Sequence, residues 1–404
     1  MKFADSLYNQ KHKFEDELIL NPVENVPFVD ILEPCSSFLH GLYNTDTLRN
    51  NEQKFNSKIQ FSGRNEITED INEIYKQWAK LLGAERISMR LLSGLHAHII
   101  MFMGLTSIGD KVMILPEKAG GHLSGMAILY RLGLQIEEIP YDNENKCIDQ
   151  EKFLQKYNSF QPQIIFIDRS EGLVYEDFTW ISKFTTCYKI FDASQYLTNI
   201  ICKDYKNPFD MGFDLIISTM HKNLPGPQRA LIATKNNDKN WKKLRSSIST
   251  YVSNMHVFSI YSAGLLLNHQ SQLKILSQRM LENTILLDAE LEKNNVPIIS
   301  RKCDLNNPPT HHCWIKPHSQ EEAFMLYLNL EKLGILTNYR LLPYDIGYGL
   351  RIGLSGATMC GLNSETIPQL SKYISYVLYN GYSENINKKV KTLIVQIKRN
   401  RLYD

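Results

Sequence analysis

The sequence predicts an α/β fold: a mostly parallel sheet covered by helices on both faces, followed by a smaller α/β domain. Three observations carry this. Short apolar runs of strand length alternate with helical stretches from about residue 67 to 218, several of these runs end in polar residues, and a long helical stretch at 265–291 leads into a second strand-and-helix region. Parallel neighbours need a crossover between them, usually a helix, and strands covered on both faces lose the polar alternation of a half-exposed sheet. At 404 residues the chain exceeds one small module and suits two unequal domains.

Taken in order, residues 1–50 read as an N-terminal arm rather than core, because Pro22, Pro27 and Pro34 break any long helix. Thr68-Glu69-Asp70 opens a helix with Ile71, Ile74, Tyr75, Trp78 and Leu82 at helical spacing, and Gly83 closes it. Runs at 112–115, 135–139, 164–168, 189–192 and 214–218 read as buried strands. Beyond the bridging helix, 312–315 and 350–354 read as strands, with helices near 320–333 and 364–380. The division is therefore an arm (1–50), a large domain (51–265), and a bridging helix with a small C-terminal domain (266–404).

Composition removes several classes. Hydrophobic residues at 43% and charged residues at 22% suit a globular protein, not a disordered or fibrous one. Lys+Arg 45 against Asp+Glu 43 leaves no footprint for nucleic acid. The longest apolar run, 97–105, is half of the ~18 residues a membrane span needs, and Met1-Lys2-Phe3-Ala4-Asp5 lacks an apolar signal region. Seven scattered cysteines with no CxxC pair fit a reducing cytoplasm. The basic stretch at 386–404 places Ile386, Val390, Leu393 and Ile397 on one helical face; near-neutral overall charge favours a solvated terminal helix over a membrane or RNA contact.

The most informative segment is Ser218-Thr219-Met220-His221-Lys222-Asn223-Leu224-Pro225-Gly226-Pro227. A buried strand runs into small hydroxyl residues, then His-Lys, then a Pro/Gly turn that fixes the backbone at the sheet's C-terminal edge. A lysine held there is a Schiff-base candidate; the plainer reading is a loop lysine at a helix cap. Asp192 ends a second strand and could pair with a pyridinium nitrogen. Ser93-Gly94 would present free amides to a phosphate at a helix start, and Gly120-Gly121-His122 brings an imidazole able to stack on a ring. Arg351 could hold a substrate carboxylate bidentately. Together these describe pyridoxal 5'-phosphate chemistry on a small amino-acid substrate.

The same motifs resemble the serine hydroxymethyltransferase family. The resemblance runs from Glu24-Asn25 through Phe61-Ser62-Gly63, Leu92-Ser93-Gly94, Gly120-Gly121-His122-Leu123, Asp192 and Thr219-Met220-His221-Lys222 to Gly226-Pro227 and Arg351-Ile352-Gly353. It implies a fold type I pyridoxal-phosphate transferase whose large domain carries a mostly parallel seven-stranded sheet. Lys222 would form the Schiff base, Asp192 bind the ring nitrogen and His122 stack on the ring. Ser93, Gly94 and Thr219 would lie near the phosphate, with Gln195 and His221 also in the cofactor-binding set. Arg351 would bind the α-carboxylate, with Ser62 in the substrate pocket. Glu66 falls where the resemblance places the carboxylate that handles the β-hydroxyl proton, reaching across a homodimer whose interface completes the site; His122 is the other catalytic candidate for moving that proton.

Departures from the family pattern bear on the reaction. Leu95 replaces a second phosphate-side serine, Gln195 a histidine, Ser62 a tyrosine and Val23 a serine, while Tyr251-Val252-Ser253-Asn254-Met255 replaces a glycine loop. Near Pro343-Tyr344-Asp345 the folate-contacting segment is shorter and offers a tyrosine instead of an asparagine. The sequence therefore predicts folate-independent aldol or transaldol chemistry on a β-hydroxy amino acid or glycine. The alternatives are another Cα reaction (transamination, racemisation, elimination or substitution) and serine hydroxymethyltransferase itself. A non-catalytic binding protein is disfavoured by the retained Lys222, Asp192 and His122. His311-His312-Cys313 is not read as a metal site, since strand alternation would send His312 to the opposite face from its neighbours; no metal is expected. His96 and His98 read as packed, hydrogen-bonded histidines, Met101, Phe102 and Met103 as core, and Arg229 as either a solvated turn residue or a contact for a distal anion.

Overall fold

The computed structural model describes residues 2–404. Seven strands form the central sheet: β1 (Arg86–Leu91), β2 (Lys111–Ile114), β3 (Gln135–Glu138), β4 (Ile164–Asp168), β5 (Tyr188–Asp192), β6 (Leu215–Thr219) and β7 (Ala230–Thr234). Their order is β1-β7-β6-β5-β4-β2-β3. Only β7 runs antiparallel to its neighbours; the other four pairings are parallel. Every residue of β4, β6 and β7 is buried, as a sheet covered on both faces requires. Alternate side chains feed two cores: Phe166, Ile190 and Ile217 into one, Ile165, Phe191 and Ile216 into the other.

The helices that matter for the site are α1 (Lys2–Glu15), α2 (Asn65–Leu82), α3 (Gly94–Leu105), α4 (Gln270–Lys293) and α5 (Glu384–Lys398). A second, antiparallel sheet follows α4: β8 (His312–Ile315), β9 (Asn338–Leu342) and β10 (Gly347–Gly353), in the order β8-β10-β9. Among the described residues, no helix is long and apolar enough to cross a membrane.

Three differences from the sequence reading have physical causes. Leu18, Leu20, Phe28 and Ile31 of the arm are buried in the main core, because Leu18–Ile19 pairs in parallel with Ile335–Leu336. Proline stops helices, but not a two-residue strand between them. Strands β1 and β7 escaped the reading: β1 is interrupted by Arg90, which is buried and paired with Asp46 at 3.5 Å and the Val252 carbonyl at 2.5 Å, and β7 follows directly on the Pro/Gly turn. Met103 is 37% exposed rather than core, whereas Met101 and Phe102 are fully buried. The apolar face of α5 (Ile386, Val390, Leu393, Ile397) packs into the core with Lys398 buried beside it, while Val395 stays half exposed.

Candidate active site

Parallel pairing sets β4, β5 and β6 side by side, so their C-terminal ends converge. The register puts Asp168 opposite Asp192 and Asp192 opposite Ile217. Past Thr219 the chain leaves β6 in a turn held by two backbone bonds: Met220 N–H donates to the Arg229 carbonyl (2.9 Å) and Gly226 N–H to the Met220 carbonyl (2.8 Å). Asn223, fully buried, accepts from the Thr198 amide at 2.7 Å and donates to Asn199 Oδ1 at 3.1 Å. From the arm, Asn25 Nδ2 donates to the Lys222 carbonyl at 2.8 Å. The lysine backbone is thus fixed from both sides.

Lys222 lines a cavity of about 190 Å³. One wall is the start of α3: Ser93, Gly94 and Leu95, with Ser93 capping the helix by accepting from the His96 amide at 3.2 Å. A helix start leaves its first amides without partners in the helix ladder, which favours an anion. The floor is Asp192, Ser194 and Thr219; His122 and His221 complete the titratable lining. Gly120, at φ +87°, lets the His122 loop pass so close to Glu171 that a Cβ would lie 2.2 Å from the Glu171 carbonyl oxygen.

Of the residues expected from sequence, Ser93, Gly94, His122, Asp192, Thr219, His221 and Lys222 share this cavity, and Gln195, Arg351, Ser62 and Glu66 do not line it. Gln195 is 1% exposed, its Oε1 accepting from His311 Nε2 at 3.1 Å and facing His312 Nε2 at 3.4 Å. The expectation that His312 turns away from its neighbour fails because His311 precedes β8, where pleat alternation does not apply. Arg351 is buried behind Ser170, with Nη1 3.5 Å from the Ser170 carbonyl and 3.6 Å from Glu171. Ser62 and Glu66, before and within the first turn of α2, are exposed. Arg229 fits neither reading offered for it. It is 1% exposed and donates to the Met89, Met255 and His256 carbonyls and to Ser259 Oγ, and burial lowers its pKa to about 10.

Sequence reasoning missed His98, Ser170, Ser194 and Gln228 in the cavity wall. His98 is buried and hydrogen-bonded as expected, but its partner is the expected ring-nitrogen acid: His98 Nε2 lies 2.6 Å from Asp192 Oδ2. The signal was available, because Gly94 and His98 are four residues apart on one helix and so share a face.

The charges in the site shift one another. Burial resists ionisation of Asp192, but the bond from His98, that ring's charge, the Ser194 amide at 2.7 Å and the Lys222 ammonium outweigh it and hold the carboxyl below its usual range. For His98, burial opposes protonation, while the bond to Asp192 and the charges of Asp192 and Asp168 overcome it and raise its pKa. Asp168 is pushed up by burial and by Asp192, so of two neighbouring acids one is held ionised and the other toward its neutral form. Burial, with the nearby His98 and Lys222 charges, lowers His122. Burial and Lys222 lower His221 to about 4.

The residues present fit pyridoxal phosphate. Thr219 Oγ1 is buried without a hydrogen-bond partner, and His221 Nδ1 likewise. Buried polar atoms left unpaired are costly, and a bound group that pairs with them explains them. A Cβ on Gly94 would sit 2.7 Å from Thr219 Cγ2, so only glycine leaves the helix start and Thr219 facing one another. The α3 amides and Thr219 could hold the phosphate, Asp192 the ring nitrogen, and Lys222 the carbonyl carbon.

Comparison with known proteins agrees with this. Residues 2–374 match the family model of serine hydroxymethyltransferase. The serine hydroxymethyltransferase of Pyrobaculum calidifontis is 27% identical over 320 residues, covering 76% of this chain and 73% of that protein. That of Thermococcus onnurineus is 27% identical over 342 residues, 80% of this chain and 78% of its own. A crystal structure of L-threonine transaldolase from Pseudomonas fluorescens in its internal aldimine state superposes with a TM-score of 0.90. It covers 98% of this chain and 91% of that one at 17% identity, a likeness of fold. The chain belongs to the serine hydroxymethyltransferase family and is a pyridoxal-phosphate-dependent enzyme of that group.

Proposed function

We propose that this enzyme makes or breaks the Cα–Cβ bond of a β-hydroxy amino acid or glycine without folate, as an aldolase or transaldolase. The observation that carries the folate-independent part is Tyr344. In the segment where the resemblance expects a folate-contacting asparagine, this side chain is buried, donates to the Ala119 carbonyl at 3.0 Å and is bonded by Arg169. It braces the glycine loop instead of offering a free group to a pterin. The shared fold with an L-threonine transaldolase supports the same reading.

When bound, the cofactor supplies an electron sink for the pair released at Cα. The protein's own groups do the rest. Lys222 would hold the cofactor covalently, and Asp192, kept ionised through His98, would keep the ring nitrogen protonated. His122 accepts the Ser124 amide at Nδ1 (3.2 Å), so its neutral form presents Nε2–H to the cavity as a donor. His221, neutral and with Nδ1 unpartnered, can take the β-hydroxyl proton within the chain. The partner subunit's Glu66 is the alternative across a dimer.

A homodimer is part of the proposal. Val29, Leu32, Phe38, Leu48, Phe55 and Ile59 are at least half exposed, and Leu48 and Ile59 line a surface pocket with Phe61, Arg64 and Asn65, the residues flanking Ser62 and Glu66 in sequence. Such a patch marks a contact surface, and a second copy would bring those two residues to a site. We keep the three-part division at about 50 and 265, and a cytoplasmic location suited to seven free cysteines, as further parts of the same reading.

The test is the visible spectrum of the loaded enzyme titrated with glycine and a panel of β-hydroxy amino acids, with aldehyde release assayed. A long-wavelength band with aldehyde release and no need for tetrahydrofolate is expected. Spectral change without aldehyde would refute the aldol reading and turn the search to other Cα reactions. Borohydride reduction and peptide mapping should place the pyridoxyl adduct on Lys222, and Lys222→Ala should abolish it.

A further inference from the structure

We infer that Glu171 is a specificity-determining residue: its buried carboxylate occupies the Arg351 guanidinium, and a substrate α-carboxylate binds by displacing it. The inference rests on the proposed function in one respect, that Arg351 receives the α-carboxylate of an amino acid.

Glu171 is 1% exposed and sits between two guanidiniums. Its Oε1 lies 3.6 Å from Arg351 Nη1 and is also paired with Arg340 Nη1. Both partners of the Arg351 pair keep unused capacity: Glu171 Oε2 and Arg351 Nε have no hydrogen-bond partner. The contact is therefore long and made at one point, whereas a guanidinium and a free carboxylate can form two parallel bonds. A substrate carboxylate offers Arg351 the geometry that Glu171 does not.

Exchange also requires that Glu171 is not left as an orphan charge. Arg340 provides for that. It lies on β9, beside Arg351's strand, with its side chain about a quarter exposed, and also reaches Glu117 at 3.4 Å. The backbones stay fixed, since Glu171 N–H donates to the Gly120 carbonyl at 3.0 Å and β10 is paired on both edges. Only side chains need move. Burial pushes the Glu171 carboxyl up against the pull of both arginines, the sign of a charge that is incompletely compensated in its site. An apposed carboxylate also argues for substrates with a single carboxylate, since a second would meet Glu171.

The two partners of the exchange make opposite predictions. In holoenzyme titrated with L-serine and followed by cofactor absorbance, Glu171→Gln frees Arg351 and should lower the dissociation constant about tenfold or more. Arg340→Gln makes Glu171 depend on Arg351 alone and should raise it several-fold. L-Serine methyl ester, which lacks the carboxylate, should bind wild type and both variants alike. Unchanged or weaker serine binding in Glu171→Gln would overturn the inference, as would an Arg340→Gln variant with wild-type affinity. Equal shifts for serine and its ester would also overturn it, showing a structural effect. Opposite shifts without aldehyde release from any β-hydroxy amino acid would uphold the exchange while refuting the aldol reading.

Discussion

Replacing His98 tests whether the site's charge balance is organised as the geometry indicates. Asp192 accepts two hydrogen bonds, from the Ser194 amide at 2.7 Å and from His98 Nε2 at 2.6 Å, and both side chains of the His98–Asp192 pair are less than 5% exposed. His98→Asn keeps a neutral donor near the carboxylate and should cost about 1.5–3 kcal/mol, the worth of a bond to a charged group. His98→Ala leaves a buried carboxylate half-paired and should cost about 3–5 kcal/mol. The pH dependence has a definite sign. His98 has a raised folded pKa, so its stabilisation is full below its unfolded value of about 6.5 and fades as pH rises through the folded value. Asp192 has a lowered pKa, so its share is present above about 3.9 and is lost as pH falls through the folded value. The gap between wild type and His98→Ala should therefore be widest from about pH 4 to 6.5 and narrow toward pH 9. Urea unfolding of the cofactor-free proteins at pH 6 and pH 9 measures it. Equal midpoints for wild type and His98→Ala at pH 6, or a gap that widens at pH 9, would refute the reasoning.

Two further substitutions separate cofactor binding from folding. Thr219→Val removes a buried hydroxyl that has no protein partner, so the cofactor-free enzyme should keep its unfolding midpoint. Cofactor affinity, measured by fluorescence titration, should fall about 10- to 150-fold, the equivalent of about 1.5–3 kcal/mol. Arg229→Met should do the reverse. It strands the Met89 and Met255 carbonyls, each about 1–3 kcal/mol when unpaired, while the His256 carbonyl keeps the Ser259 amide and hydroxyl at 3.1 Å, so unfolding should shift by more than about 2 kcal/mol while the folded fraction binds cofactor normally.

The sequence was most legible where local pattern and fold agree. Five strands of the central sheet and the helix bearing Trp78 follow from apolar runs and helical spacing, because a doubly covered sheet writes itself as uninterrupted hydrophobics. Seven of the expected residues come together in one cavity because strand ends and glycine turns place them through the backbone. What was missed depends on pairing across the chain. Asp168 lies beside Asp192 only because β4 and β5 are adjacent and in register, although both strands end in the same acid. Arg90 and Arg229 look like surface charges in sequence; their burial depends on carbonyls and an aspartate supplied from distant segments. Arg351 lies beside Ser170 and Glu171, residues far away in sequence that no motif marks.

These contrasts point to a division within the site. The cofactor half is assembled from one helix start and three strand ends, elements fixed by the same core; Asp192 is paired inside the chain by His98, and Asn25 and Asn223 hold the backbone of the lysine turn. The substrate half is not closed in this way. Arg351 is occupied by an internal acid, while Ser62 and Glu66 are exposed. An ionised group buried at the cofactor end must be paired before any ligand arrives, because an unpaired charge there would cost the fold several kcal/mol, whereas a neutral hydroxyl such as Thr219 is left for the ligand to pair. At the substrate end the exposed Ser62 and Glu66 bear no such demand, and the buried Arg351–Glu171 pair meets it through one long contact that a carboxylate can exchange. Variation among enzymes of this scaffold should therefore concentrate at Glu171, Arg340, Ser62 and the Tyr344 segment, where a change alters which amino acid and which acceptor are admitted without dismantling the centre around Lys222.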